Sequence, residues 1–83
     1  MYQELEMIVL THDVKEFGLK QGDIGTIVHC YKDNKAFEVE FVTADGKTVA
    51  LLSLKPEEIR ALKNREVLHV RELTELVVQK TEY

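Results

Sequence analysis

Residues 22–54, GDIGTIVHCYKDNKAFEVEFVTADGKTVALLSL, decide the fold of this chain. In the central part, 36–42, apolar residues alternate with two glutamates, which is the period of a strand with one buried and one solvated face. Stretches rich in aromatic, β-branched and other apolar residues lie on either side of it, at 24–31 and 47–54. The pattern predicts an antiparallel meander of three strands.

Short turns join these strands. The segment 33–35 supplies Asp and Asn, which tolerate a left-handed backbone and bond to their own main chain. The segment 44–46 contains the Asp-Gly pair that type I′ hairpins favour. Ahead of the meander, Gly22 and Gly25 predict a tight turn followed by a bulge or a close backbone approach.

The chain before the meander contains a short apolar run, 6–10, which we expect to form a first strand. The polar segment 11–21 then predicts a long ordered loop anchored by Val14 and Leu19. Phe17 is either a third anchor or an exposed aromatic, and the sequence supports both readings equally.

After the meander, Pro56 at a first helical position with acids beside it predicts a short helical turn at 56–59. Residues 59–62 predict a brief fifth strand. The tail 64–81 is amphipathic and its spacing fits a helix or a strand, with a strand favoured for 66–71.

Length and composition indicate one soluble domain over residues 1–83, with a core at about 6–62 and a C-terminal extension at 63–83. The net charge of −4 and the dispersal of basic residues disfavour nucleic-acid binding, with only mild basic enrichment at 55–71. The single cysteine, Cys30, provides no disulfide framework. Without a secretory or membrane-spanning segment in sight, we expect a cytoplasmic protein with no membrane association.

No catalytic constellation is evident. The histidines lack metal-ligand spacing, and Cys30 has no helix N-terminus to activate it. Glu38 and Glu40 lie about 7 Å apart by strand geometry. Paired carboxylates occur in glycosidases, but here they fit a solvated sheet face better. We therefore predict no enzymatic activity, no metal and no cofactor.

A long first loop, a three-stranded meander, a helical turn and a last short strand form the plan of a small SH3-like barrel of about five antiparallel strands. The segment 19–28 resembles the Gly-x-x-Gly-x-Val entry strand of KOW-type and related SH3-like barrels. The combination of 18–19, 22–28, 37–41, 45–46 and 50–52 is similar to a family of small stand-alone bacterial proteins classed as a domain of unknown function. The segment 66–71 also resembles the end of many members.

The resemblance covers roughly residues 6–73 and implies an SH3-like barrel without an assigned activity. Some members lie beside small companion proteins, which implies an interaction or antitoxin-like role. The KOW likeness implies an RNA- or ribosome-associated alternative.

We therefore expect a non-enzymatic interaction module that binds another protein or a second copy of itself as a homodimer. Three surfaces are candidates: the groove beside the first loop, the acidic sheet face and the tail. The candidate partner-binding residues are Phe17, Tyr31, Glu38, Glu40, Val67, Val70 and Leu73.

Overall fold

A computed structural model describes residues 2–73 of the chain. The described part is all-β, as predicted, and its only helical pieces are short 3-10 turns. The strands are β1 Met7–Leu10, β2 Ile24–Cys30, β3 Phe37–Val42, β4 Thr48–Leu54 and β5 Ile59–Ala61. The 3-10 turns are Lys15–Phe17, Lys32–Asn34 and Pro56–Glu58. No helix within residues 2–73 is long and apolar enough to cross a membrane.

The strands form one antiparallel sheet in the order β4-β3-β2-β1-β5. The predicted meander is confirmed as the β2-β3-β4 part of this sheet. Among residues 2–73 no ladder joins β4 to β5, so the sheet is open and the predicted barrel closure is not observed. The open ends leave β4 and β5 as the two edge strands.

The core lies on one face of the sheet. In β3, Phe37, Val39 and Phe41 are buried while the residues between them are partly exposed, which confirms the predicted alternation. The largest fully buried side chains, which come from β1, β2 and β3, are Phe37, Ile8, Leu10, Ile27 and Val39. Burial of such side chains supplies most of the favourable free energy of folding in a domain of this size.

The first loop is ordered by the anchors that the sequence predicts. Val14 and Leu19 form an isolated antiparallel bridge, with the Val14 N–H 2.8 Å from the Leu19 carbonyl. Leu19 is buried, and Val14 and Phe17 pack against the core from a partly buried position. Phe17 is therefore the third anchor of its own loop.

Gly25 marks a close approach between β2 and the core. A Cβ at this position would lie 2.6 Å from both a ring carbon of Phe41 and a methyl carbon of Val39. Gly22, at φ 96°, adopts the left-handed backbone of the preceding turn. Both glycine predictions are confirmed.

The turns differ in how well the sequence predicts them. Asp33 and Asn34 adopt left-handed conformations with φ of 60° and 55°, as predicted. In the β3-β4 hairpin, by contrast, Gly46 has a φ of 85° and Asp45 does not have a positive φ. A type I′ turn needs positive φ at both central residues, so the turn is not of the type that the Asp-Gly pair favours. Residues 44–46 lie inside the pair Thr43–Lys47, whose N–H and carbonyl are 2.9 Å apart, and they end in left-handed Gly46.

The chain after β4 follows the prediction up to β5. Pro56 begins a 3-10 turn, and the Glu58 carboxylate accepts a hydrogen bond of 2.8 Å from the Lys55 N–H. Lys55, the residue before Pro56, is thereby the N-cap of the turn. Ile59 then begins β5 and is itself buried.

The tail forms neither of the two predicted alternatives at 66–71, the favoured strand or the helix. These residues join no ladder, and the chain instead crosses the face of the sheet opposite the core. There Val9, whose strand neighbours point to the core, is only 4% exposed and shares a small pocket with Leu62 and Val67. The rest of the predicted amphipathic tail, 74–81, lies outside the described residues.

Candidate partner-binding surfaces

An open groove of about 490 Å³ runs between the first loop and the end of β4. Loop residues 12–17 form one wall, residues 52–54 of β4 form the other, and Glu58 also lines the groove. This is the groove beside the first loop that the sequence predicts, and Phe17 lines it.

The groove combines an apolar floor with an acidic rim. Val14, Phe17 and Leu52 are partly buried hydrophobic residues that pack on the core, and Leu54 is buried. The carboxylates of Asp13, Glu16 and Glu58 line the groove, and the single lysine among the lining residues is Lys15. The site therefore carries a local excess of negative charge.

Hydrogen bonds hold most of this rim in place. His12 lies with Nδ1 2.8 Å from the Asp13 carbonyl oxygen and Nε2 3.3 Å from a Glu58 carboxylate oxygen. The Asp13 carboxylate accepts a bond of 2.8 Å from the Gln21 N–H. Glu16 is exposed, and its carboxylate makes no hydrogen bond or ion pair within residues 2–73. It is the rim carboxylate most available to a ligand.

A second cluster of polar residues adjoins the groove on the outer face of the sheet. The Glu38 carboxylate accepts hydrogen bonds from the Ser53 hydroxyl at 2.7 Å and from the Tyr31 hydroxyl at 2.8 Å. These two bonds, the one from Ser53 first, lower the pKa of Glu38. Tyr31 also packs edge-on against His29, with ring centroids 4.9 Å apart.

Ser53 connects the two regions, because it lines the groove and also donates to Glu38. The structure thereby brings Phe17, Tyr31 and Glu38 onto adjoining surfaces around the end of β4. Glu40 lies further along β3, pairs with Leu51, and accepts a bond of 2.7 Å from the Thr48 hydroxyl.

The tail carries the remaining candidate partner-binding residues, Val67, Val70 and Leu73. Val67 and Val70 are 92% and 96% exposed, and Leu73 is partly exposed. They do not line the groove, and they belong to a segment that polar side chains hold against the rest of the domain.

One fixing point is the pair of Arg60 and Glu66. Two guanidinium nitrogens of Arg60 lie 2.9 and 2.6 Å from the two carboxylate oxygens of Glu66. The Lys63 N–H donates to the same carboxylate at 2.7 Å. These bonds, the one from Arg60 first, lower the pKa of Glu66 to about 2.

The second fixing point is Asp23, which sequence reasoning missed. Its side chain is buried, and it accepts bonds from Arg71 Nε at 2.9 Å, from a second Arg71 nitrogen, and from the Lys20 N–H at 2.8 Å. His69 Nε2 lies 3.1 Å from the same carboxylate. Arg71 also donates to the Gly18 carbonyl at 2.8 Å.

The electrostatics of Asp23 follow from these contacts. Burial alone would raise the pKa of Asp23, but the bond from Arg71, the bond from Lys20 and the nearby positive charge outweigh it, so this pKa lies below its ordinary value. The sequence offers one signal for the site: an acid at the start of an apolar strand needs a partner once it is buried.

Both ion pairs use arginines from 55–71, the stretch of the sequence with mild basic enrichment. Arg60 and Arg71, which lie within 55–71, both bind carboxylates of the same chain. Their charge is therefore largely neutralised within the protein and less available to phosphates.

The structure adds no candidate metal centre. Within residues 2–73, no group of at least three His, Cys, Asp or Glu side chains could hold a metal ion. Cys30 is partly buried, with its Sγ 3.9 Å from the Tyr2 carbonyl oxygen.

A family model described as a domain of unknown function, DUF4926, matches residues 4–61. The chain belongs to this family. The DUF4926 range contains all five strands, the first loop and the groove, and it ends before the tail that reaches Asp23. No curated protein and no solved structure matches the chain.

Proposed function

We propose that this chain is a non-enzymatic protein-interaction module that holds part of a small companion protein in the groove between the first loop and β4. The observation that carries the proposal is the groove itself, with its apolar floor, acidic rim and neighbouring Tyr31–Glu38 pair. Apolar contact area beside a tyrosine and charged rim groups is typical of protein-binding surfaces.

We also propose that the domain has an SH3-like fold and that the protein is cytoplasmic. The strand order, the long loop after β1 and the 3-10 turn before the last strand support the fold. The single cysteine is in keeping with a reducing compartment.

The groove is a better candidate than the other two surfaces. On the acidic sheet face, the Glu38 and Glu40 carboxylates already accept hydrogen bonds from neighbouring side chains. In the tail, Val67, Leu68 and Val70 are exposed, and the one small pocket that Val67 lines within residues 2–73, of about 190 Å³, is less than half the volume of the groove. The groove also carries the exposed carboxylate of Glu16, which makes no hydrogen bond or ion pair within residues 2–73.

An affinity pull-down of the full tagged chain from its native cell lysate tests the proposal. The lysate is treated with nuclease and washed at moderate salt, and bound proteins are identified by mass spectrometry. We expect one stoichiometric protein that survives both treatments, because an apolar interface depends weakly on salt. Ribosomal proteins or RNA polymerase that disappear with nuclease or salt would favour the RNA-associated alternative instead.

Matched charge reversals place the site in the same experiment. Glu16→Lys changes the groove rim, and Glu40→Lys makes the same change of charge on the outer face. We expect the partner to be lost with Glu16→Lys and kept with Glu40→Lys. The opposite result would move the site to the acidic sheet face.

A further inference from the structure

The edge strand β4 is open to a further strand. It lies at one end of the sheet, and within residues 2–73 no strand pairs with its outer side. Its sequence, TVALLSL, contains no charged residue and no proline. Proteins commonly protect edge strands with such residues, because an unprotected edge offers a row of unpaired N–H and C=O groups.

The groove lies beside the C-terminal end of β4. Three consecutive residues, 52–54, line it, although successive side chains of a strand point to opposite faces. Leu54 is buried in the core, whereas Ser53 is exposed on the outer face. Consecutive residues of a strand lie together only along its edge, because their side chains point to opposite faces. We therefore expect main-chain groups of β4, as well as side chains, to line the groove.

The first-loop residues that line the groove indicate which side chains a bound strand would carry. Val14 and Phe17 offer apolar contacts, while Asp13, Glu16 and Glu58 outnumber Lys15. A ligand that matches this wall carries apolar residues and positive charge. An extended chain can supply both at once, because its alternate side chains point to opposite sides.

We propose that the groove receives an extended, positively charged segment of the partner protein, which adds to the sheet by pairing with the edge of β4. Main-chain hydrogen bonds to β4 give affinity, and the acidic rim selects arginine or lysine side chains. This inference rests on the proposed function and specifies how the groove would be used.

Synthetic peptides test the pairing on the full chain. The probe is a short acetylated peptide of alternating valine and arginine, compared with one of alternating valine and glutamate. Binding is followed by amide chemical shifts and amide hydrogen exchange in NMR spectra. We expect the arginine peptide to shift amides of 12–17 and 52–54, to slow exchange in 52–54, and to bind more tightly by about tenfold or more.

Two controls separate strand addition from general attraction of a cationic peptide. Methylating alternate backbone nitrogens of the arginine peptide removes the N–H donors along one edge of the strand, and a pair of peptides methylated in the two alternating registers covers both edges. The peptide that lacks the donors facing β4 should not bind. Glu16→Lys should weaken binding of the unmodified peptide by about tenfold, and Glu40→Lys should leave it within about twofold.

Three results would overturn the inference: no binding of the arginine peptide, equal binding of the glutamate peptide, or unchanged binding of both methylated peptides. Each of these is distinguishable from failure of the proposed function. If one of these peptide results occurs while a partner is still captured from lysate and lost with Glu16→Lys, the interaction module stands and strand addition alone is excluded.

Discussion

Arg71 binds Asp23 across 48 residues of sequence, with its Nε 2.9 Å from one carboxylate oxygen and a second guanidinium nitrogen on the other. The same guanidinium donates to the carbonyl of Gly18, and Asp23 accepts from the N–H of Lys20. The tail is thereby tied to the end of the first loop. Because residues 12–17 of that loop line the groove and Gly18 follows them directly, the pair helps to fix the position of the groove wall.

Removing the charge of Asp23 should destabilise the fold. We expect Asp23→Asn to lower the free energy of unfolding by about 2 kcal/mol, because hydrogen bonds to a charged group are lost and Arg71 is left without its partner. Urea denaturation measures the change. Asp33→Asn is the matched control, since Asp33 is exposed at a left-handed position that asparagine also tolerates. Equal urea midpoints for Asp23→Asn and the unsubstituted chain would contradict the assigned role.

The stability of the chain should fall in acid because of the same ion pairs. A carboxyl group whose pKa is lowered by folding stabilises the fold above its unfolded pKa, and this contribution is lost as the pH falls through the folded pKa. The pKa of Asp23 is lowered, and that of Glu66 falls from 4.5 to about 2. For Glu66 the loss therefore extends from about pH 4.5 down to about pH 2.

Urea denaturation at a series of pH values tests this dependence. We expect the free energy of unfolding to decline less steeply below pH 4.5 in the double variant Asp23→Asn, Glu66→Gln than in the unsubstituted chain. Parallel curves for the two proteins would show that other carboxylates control acid stability.

A methyl group at position 25 should be costly. Gly25→Ala places a Cβ against Val39 and Phe41, and overpacking of this kind costs about 1–3 kcal/mol. Val39→Ala removes one of the two obstructing groups. The double variant should therefore be less destabilised than the sum of the single changes in thermal or urea unfolding. Strict additivity would mean that the backbone moves away instead.

The Ser53 hydroxyl should control the ionisation of Glu38. Since the bond from Ser53 is the first cause of the lowered pKa of Glu38, Ser53→Ala should raise that pKa toward its ordinary value. An NMR titration of the side-chain carboxyl carbon measures it. Thr48→Ala is the control, because Thr48 donates to Glu40 and should leave the pKa of Glu38 unchanged.

The parts of the fold that can be predicted from sequence are those set by local patterns. Alternation over 36–42 predicts β3, and Pro56 with its following acids predicts the 3-10 turn. The hairpin type fails at Asp45-Gly46 because more than one kind of turn uses a left-handed glycine. Alternation at 66–71 predicts a strand, but an extended segment held by side chains can show the same alternation without a ladder.

The candidate site divides in the same way. A groove lined by Phe17 can be expected from the long first loop, and Tyr31 and Glu38 meet across one tight turn. The ion pair between Asp23 and Arg71 cannot be predicted from the sequence, because nothing in the intervening residues determines which of the many charged side chains become neighbours. Such long-range pairs depend on the completed sheet, which brings the tail across β1.

The most direct test of the central claim is site-specific photo-crosslinking of the full chain in its native cells. A photo-crosslinking amino acid replaces Glu16 in the groove, Glu40 on the outer face or Val70 on the tail, in three separate proteins. We predict one protein adduct from the first position and none from the other two. An adduct from Glu40 or Val70 alone, or an adduct with RNA, would contradict the claim that the groove holds a partner protein.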